Sequence, residues 1–209
     1  MLTLPLLRKM LNRAGTELKA NSKYLCELDS VAGDGDHGIT IGRMADVMKE
    51  KTEDTTIDTM RVLLDELGDA FMGINGGSAG PLWGTVFTGM AEGIDDQAEL
   101  TDLELRKMFT QAKEDFMDIS KAKPGDKTMV DALYPAIDAI IETQGNLKEI
   151  MTAAAAAADA GAEQTSTMVA RFGRAKNMGE RSIGTKDPGA VSIAILFNGC
   201  LLYTSDAAD

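Results

Sequence analysis

Apolar residues recur every three to four positions along almost the whole chain, a spacing that dictates helices rather than sheets. Leu4, Leu7, Leu11 and Leu18 mark a first helix to about residue 28. Ile41, Ala45 and Met48 mark a second, and Ile57, Met60, Leu63, Leu64, Leu67 and Phe71 a third. A fourth runs from Leu82 to Met90 behind a glycine-rich loop. Thr101-Asp-Leu-Glu104 reads as a capping box, in which hydroxyl and carboxylate satisfy free N–H groups at the start of a fifth helix. The sixth spans Thr128 to about Ile141, with Thr128 and Asp131 at a similar spacing. The seventh runs from about 146 to 170, and its Ala153–Ala158 run joins high helix propensity to side chains that allow close packing. The eighth begins near Gly189 and includes Val191, Ile195 and Leu196. No stretch shows a convincing alternation of β-branched residues. The expected architecture is all-α, an antiparallel bundle of about eight helices with short connections, and residues 1–209 suit a single domain.

Charge narrows what such a bundle can bind. Lys and Arg number 21 and Asp and Glu 33, a formal net charge of −12. That surface repels nucleic acid and anionic membranes, so an anionic ligand must be held by something local, a metal ion or a basic loop. Cys26 and Cys200 form neither a metal-ligand pattern nor a disulfide framework, and free thiols fit a reducing cytoplasm. The N-terminal residues lack the basic-then-apolar order of a signal peptide. No apolar run approaches the roughly 18 to 20 residues needed to span a bilayer.

The chemistry is concentrated between the helices. Asp29-Ser-Val-Ala-Gly-Asp34-Gly-Asp36-His37-Gly38 places three carboxylates within eight residues on a backbone bent by Gly33, Gly35 and Gly38. Clustered carboxylates repel one another unless a cation neutralises them, and carboxylate oxygens suit hard cations. An EF-hand is excluded, because its twelfth position would be Ala45 counted from Asp34, or Thr40 counted from Asp29, instead of Glu. Mg²⁺ takes one or two carboxylates per ion together with phosphate oxygens, so three Asp could hold one or two ions against a polyphosphate. The same residues also suit a solvated turn that caps the second helix. His37, the only histidine, fits a phosphate contact, an acid–base or phosphoryl-carrying role, or a hydrogen-bonded loop position.

Three further loops lead into helices. Asn75-Gly-Gly-Ser-Ala-Gly-Pro81 suits either a phosphate-binding helix entry or a plain turn, and it lacks the Gly-Lys-Ser/Thr of a P-loop. In Lys123-Pro-Gly-Asp-Lys-Thr-Met129, Asp126 or Thr128 can cap, and Lys127 can reach a phosphate or pair with an aspartate. Residues 174–186 hold Arg174, Lys176, Arg181 and Lys186 against the single acid Glu180, a cationic loop in an acidic chain. In an antiparallel bundle alternate loops share one end, so these four could converge on one ligand, for which Mg²⁺-nucleotide is the expectation.

Taken in order, Gly33-Asp-Gly-Asp-His-Gly38, Gly76-Gly-Ser-Ala-Gly-Pro81, Gly125-Asp-Lys-Thr-Met129, Gly173-Arg-Ala175, Gly179-Glu-Arg-Ser-Ile-Gly184 and Asp187-Pro-Gly189 resemble the nucleotide-binding domain of the dihydroxyacetone kinases. The resemblance covers about residues 5–199, and the free-standing length is similar to the L subunit of the phosphotransferase-system-dependent enzymes. It implies an eight-helix barrel with nucleotide at one end and two Mg²⁺ ions on Asp29, Asp34 and Asp36. It also implies nucleotide contacts at His37, Gly38, Ile39, Thr40, Ser78, Ala79, Met129, Arg174, Asp187, Pro188 and Gly189, with Arg174 supporting phosphoryl transfer and no nucleophile of the chain's own.

By the same resemblance ADP stays bound as a cofactor. It is rephosphorylated to ATP by a phosphohistidine on an M-type subunit, and the phosphoryl group then passes to dihydroxyacetone held on a K-type subunit. Two positions depart from the family pattern. Ala79 stands where the family commonly has Ser, the hydroxyl here being at Ser78, and the polar tail from about residue 200 to Asp209 does not resemble the family's last helix. Two other readings suit the same residues. One is a kinase for another small substrate, although fatty-acid relatives usually carry Thr at the position of His37. The other is a nucleotide-dependent regulator that docks on a transcription factor.

Overall fold

The computed structural model describes residues 1–206. Among them the helical spacing becomes nine α-helices: α1 (Leu4–Ala20), α2 (Ser22–Asp29), α3 (His37–Glu53), α4 (Met60–Met72), α5 (Ala79–Glu92), α6 (Asp102–Ile119), α7 (Val130–Glu142), α8 (Leu147–Gln164) and α9 (Pro188–Asp206). Two short strands, β1 (Leu2–Thr3) and β2 (Glu99–Leu100), pair antiparallel with Leu2 opposite Leu100. The segment between α8 and α9 carries 3-10 turns at Thr165–Thr167 and Arg174–Ser182.

The eight expected helices are present, with the first broken in two. At Asn21 both the backbone N–H and the side-chain amide donate to the Glu17 carbonyl, at 3.1 and 2.9 Å, and the chain restarts as α2. The sixth starts at Val130 rather than Thr128. The Asp131 carboxylate takes the Thr128 N–H at 2.8 Å, and Thr128 Oγ1 accepts from Val130 at 3.2 Å, which leaves Thr128 outside the helix. The seventh stops at Gln164, short of 170. Buried Thr165 turns its hydroxyl back to the Ala162 carbonyl, and its own carbonyl accepts from the Lys127 ammonium at 2.8 Å. The last helix continues past Leu202 to Asp206, with the buried Thr204 hydroxyl satisfied by the Leu201 carbonyl. Positions 207–209 of the atypical tail lie outside the described residues.

Each long helix packs on the next, and α9 returns against α1, so that α1, α3, α4, α5, α6, α7, α8 and α9 close into a ring with α2 lying on α3. The ring is filled from within. Phe71 meets Phe87 edge to face at 5.0 Å between ring centres, Trp83 packs beside them, and Phe116 meets Tyr134 at 6.0 Å. Each such side chain, fully buried, is worth roughly 1.5–3 kcal/mol. Alternation of helix direction sends the segments 30–36, 73–78, 120–129 and 165–187 to one end of the ring. The segments 54–59, 93–101 and 143–146 lie at the other, beside β1 and β2. No helix among the described residues is long and apolar enough to cross a membrane.

Candidate functional site

The aspartate loop is folded by one of its own carboxylates. Asp29, the last residue of α2, accepts through Oδ2 from the N–H groups of Gly35 at 2.9 Å, Asp36 at 3.1 Å and His37 at 3.4 Å. That wraps the loop back on the helix end and brings Asp34 and Asp36 to Asp29. One oxygen from each of the three lies within 4.8 Å of the others. Asp36 is the N-cap residue of α3 but makes no capping bond, so its carboxylate belongs to the cluster rather than to the helix. Gly38 lets α3 start this close to α2, since a Cβ there would stand 1.8 Å from the Ser22 carbonyl oxygen.

The cluster carries the electrostatic signs of crowded charge. Burial, followed by the Asp34 and Asp29 carboxylates, pushes Asp36 above the usual carboxylate range. Asp34 is drawn below it, chiefly by a hydrogen bond from Arg174, with which it forms an ion pair. Three hard oxygen donors with one carboxylate already seeking a cation fit Mg²⁺.

Opposite the acids α5 begins without a side-chain cap, and α3, which starts from the acidic loop itself, has only the Asp29 carboxylate at its His37 N–H. An α-helix start leaves N–H groups without intrahelical partners, which makes it a natural seat for anions. At the far end α1, α4, α6 and α8 are closed by Thr3, Thr59, Thr101 and Asn146, the last two as full capping boxes. At the near end neither Asp36 at α3 nor Ser78 at α5 forms a capping bond.

Between these features lies a cleft of about 260 Å³, walled by Asp29, Asp34, Asp36, the loop 76–79, Arg174 and the segment 185–188. A second hollow of about 450 Å³ adjoins it and is more apolar, lined among others by Leu82, Trp83, Phe116, Met129 and Phe172. Trp83 is buried there, and its indole Nε1 has no hydrogen-bond partner among the described residues. His37, Ser78, Ala79, Asp187 and Pro188 belong to the walls of both hollows.

Of the residues expected from sequence, the three aspartates and Arg174 therefore stand in the first hollow, and Met129 and Gly189 in the second. Gly38, Ile39 and Thr40 are in neither wall. Gly38 and Thr40 are buried behind the loop, with Thr40 against Gly76, while Ile39 is exposed at the start of α3. His37 Nε2 lies 3.2 Å from Ser192 Oγ. Burial lowers its pKa, partly offset by Asp29, which favours a neutral hydrogen-bonding imidazole over a cation.

Lys127 lines both hollows. It is buried, and its ammonium donates to three backbone carbonyls. Lys186 pairs with Glu163, and Lys176 and Arg181 are exposed. Sequence reasoning missed the apolar hollow. Trp83 and Phe116 look like ordinary core positions, and only Phe172, set directly before Gly173-Arg174, offered a clue.

Comparison with known proteins identifies the family. The DAK2 domain family matches residues 31–202. The chain is 35% identical over 189 residues to "PEP-dependent dihydroxyacetone kinase, ADP-binding subunit DhaL" of Escherichia coli, covering 89% of this chain and 90% of that protein. It is 36% identical over 195 residues to an L-erythrulose kinase of Pectobacterium atrosepticum, covering 90% of this chain but only 33% of that one. The crystal structure of the dihydroxyacetone kinase from C. freundii in complex with AMP-PNP and Mg²⁺ superposes with a TM-score of 0.71 at 27% identity. That match covers 94% of this chain and 33% of the larger protein.

Proposed function

The chain belongs to the DAK2 domain family, and from that membership and the geometry of the cleft we propose that it is the ADP-binding subunit of a phosphoenolpyruvate-dependent dihydroxyacetone kinase. In this reading it relays a phosphoryl group through tightly bound ADP, from phosphohistidine on an M-type subunit to dihydroxyacetone on a K-type subunit. The observation that carries the reading is the pairing of three converging carboxylates with the uncapped start of α5 across one cleft. The acids suit divalent cations, and the helix start suits phosphates.

Asp29, Asp34 and Asp36 would hold two Mg²⁺ ions, which when bound offset the carboxylate charge and the charge of a diphosphate. His37, Ser78 and Ala79 line the cleft, and the start of α5 would meet a phosphate with backbone N–H groups rather than side chains, so Ala79 in place of a hydroxyl residue is tolerable. Met129, Pro188 and Gly189 belong to the apolar hollow, which suits a nucleotide base. Arg174 stands where its guanidinium can pass from Asp34 to a transferring phosphoryl group and spread the developing charge. Ile39, Phe172 and Ile183 are 53%, 38% and 47% exposed on the two segments flanking the cleft and offer an apolar rim for the acceptor-bearing subunit.

Two measurements test this. Denatured supernatant of the purified chain should contain ADP by mass spectrometry. Transfer from a phosphohistidine donor to dihydroxyacetone should require the chain, ADP and a K-type partner together. Failure with matched donor and acceptor would favour a regulatory protein that docks on a transcription factor. The match to an L-erythrulose kinase supports a second reading, in which the acceptor is another short keto-sugar.

A further inference from the structure

The segment that carries Arg174 is built of 3-10 turns rather than a regular helix. Between α8 and α9 it bends at Gly173, Gly179 and Gly184, whose φ angles are 62°, 56° and 99°. A Cβ at any of the three would meet nothing within 4 Å, so glycine stands there for backbone conformation and not for space. The segment is tied to itself by the Gly184 N–H to the Ser166 carbonyl at 2.7 Å and by the Ala170 N–H to Ser182 Oγ at 2.9 Å.

A further hold on the segment comes from the loop before α7. Lys127 is 4% exposed and is the one non-glycine residue with positive φ, 60°, among the described residues. Its ammonium donates to the carbonyls of Thr165 at 2.8 Å, Ser182 at 2.6 Å and Thr185 at 2.6 Å. These are three points along the segment, one before the Arg174 turn and two after it. An ammonium has three donors and no acceptor, and here all three are used.

The loop that presents Lys127 is itself braced. The Asp131 carboxylate accepts from the N–H groups of Gly125 and Thr128, and the Asp126 carbonyl accepts from the Arg171 N–H at 3.1 Å. The segment answers at its far end, where the Asp187 N–H donates to Thr165 Oγ1 at 2.9 Å.

We infer that Lys127 is a positioning residue for phosphoryl transfer, gathering the segment 165–187 through three carbonyls and so fixing where Arg174 stands relative to Asp34. The inference rests on the proposed relay. It assigns Lys127 no contact with nucleotide or phosphate. Its side chain is spent on the protein backbone, and its effect on the reaction passes through Arg174.

A double-mutant cycle tests it. Wild type, Lys127→Met, Arg174→Ala and the double variant are compared for turnover in the three-subunit relay, with Mg²⁺-ADP affinity measured in parallel. Misplacing a charge-bearing group by about 1 Å can cost about a hundredfold in rate, so Lys127→Met should slow turnover by between about ten- and a hundredfold. The double variant should be no slower than Arg174→Ala alone, because a misplaced arginine that is already absent cannot be missed twice. Losses that multiply would overturn the inference and leave the relay standing. A wild type that neither binds Mg²⁺-ADP nor turns over would sink the relay itself.

If Lys127→Met does not fold, Lys127→Arg takes its place in the cycle with the same expectation, since a planar fork cannot serve three carbonyls as an ammonium does. The wild-type chain supplies a check that needs no variant. In ¹⁵N-lysine-labelled protein one ammonium should exchange its protons slowly, and finding every ammonium in fast exchange would also overturn the inference.

Discussion

The two ends of the helical ring solve the same problem in opposite ways. At the far end every helix start finds its cap within the chain: Thr3 for α1, Thr59 for α4, Thr101 for α6 and Asn146 for α8. The helix ends there are served too, with Arg8 donating to the carbonyls of Thr52 and Ile57 and Arg106 to those of Ile141 and Thr143. At the near end Asp187 caps α9 at the Ala190 N–H, but α5 begins without a cap and α3 begins beneath three carboxylates that crowd one another. An unmet donor and an excess of negative charge are both costs to a folded chain unless a ligand resolves them. The far end is built for stability, and the near end is left for something that brings cations and anions together.

That contrast breaks most visibly at Asp34. Asp34→Asn should weaken Mg²⁺-ADP binding by at least about a hundredfold, by analogy with the tenfold to hundredfold losses seen for groups that only support a metal ligand. Calorimetric titration would measure the loss, and helical circular dichroism should stay unchanged. Next in size is Gly38→Ala, which drives a methyl group into the Ser22 carbonyl. Overpacking of this kind costs about 1–3 kcal/mol, and because it displaces α3 from α2 it should lower the urea midpoint and ADP affinity together.

Asp187 gives a smaller effect, read through pH. Desolvation lifts its carboxyl from 3.8 to about 7, with the Asp131 charge adding to the rise and the Ala190 N–H and Lys127 opposing it. The folded chain therefore holds this proton more tightly than the unfolded one. The group's contribution to stability is full below about 3.8 and is lost as pH rises through about 7. Asp187→Asn keeps an oxygen for the Ala190 N–H, and it should flatten the decline in urea midpoint across that window. The smallest change belongs to the far end. Thr101→Ala removes half of a capping box, should cost about 1 kcal/mol in stability, and should leave ADP affinity where it was.

How far these features could be read from sequence follows from how local their causes are. The helices announced themselves by spacing, and the Thr101–Glu104 box and the acidic loop by residues within ten positions of one another. The break at Asn21 was hidden because apolar spacing continues across it. The early stop at Gln164 was hidden because the alanine run carries no breaker, and what ends α8 is in part a lysine distant in sequence. The hold of Lys127 on three carbonyls was hidden for the same reason, since they lie 38, 55 and 58 residues away. The apolar hollow was concealed among residues indistinguishable from core. Convergence of Asp29, Asp34 and Asp36 was legible because Asp29 and the loop it folds are neighbours in the chain.

The central claim is that the near end holds a nucleotide through divalent cations. Isothermal titration of ADP into nucleotide-stripped chain, once with Mg²⁺ and once with the divalent ions chelated, tests it most directly. Binding should be tight with Mg²⁺ and nearly abolished without it. Equal affinity in the two titrations would contradict the account, since it would mean that the carboxylates at 29, 34 and 36 take no part in holding the phosphates.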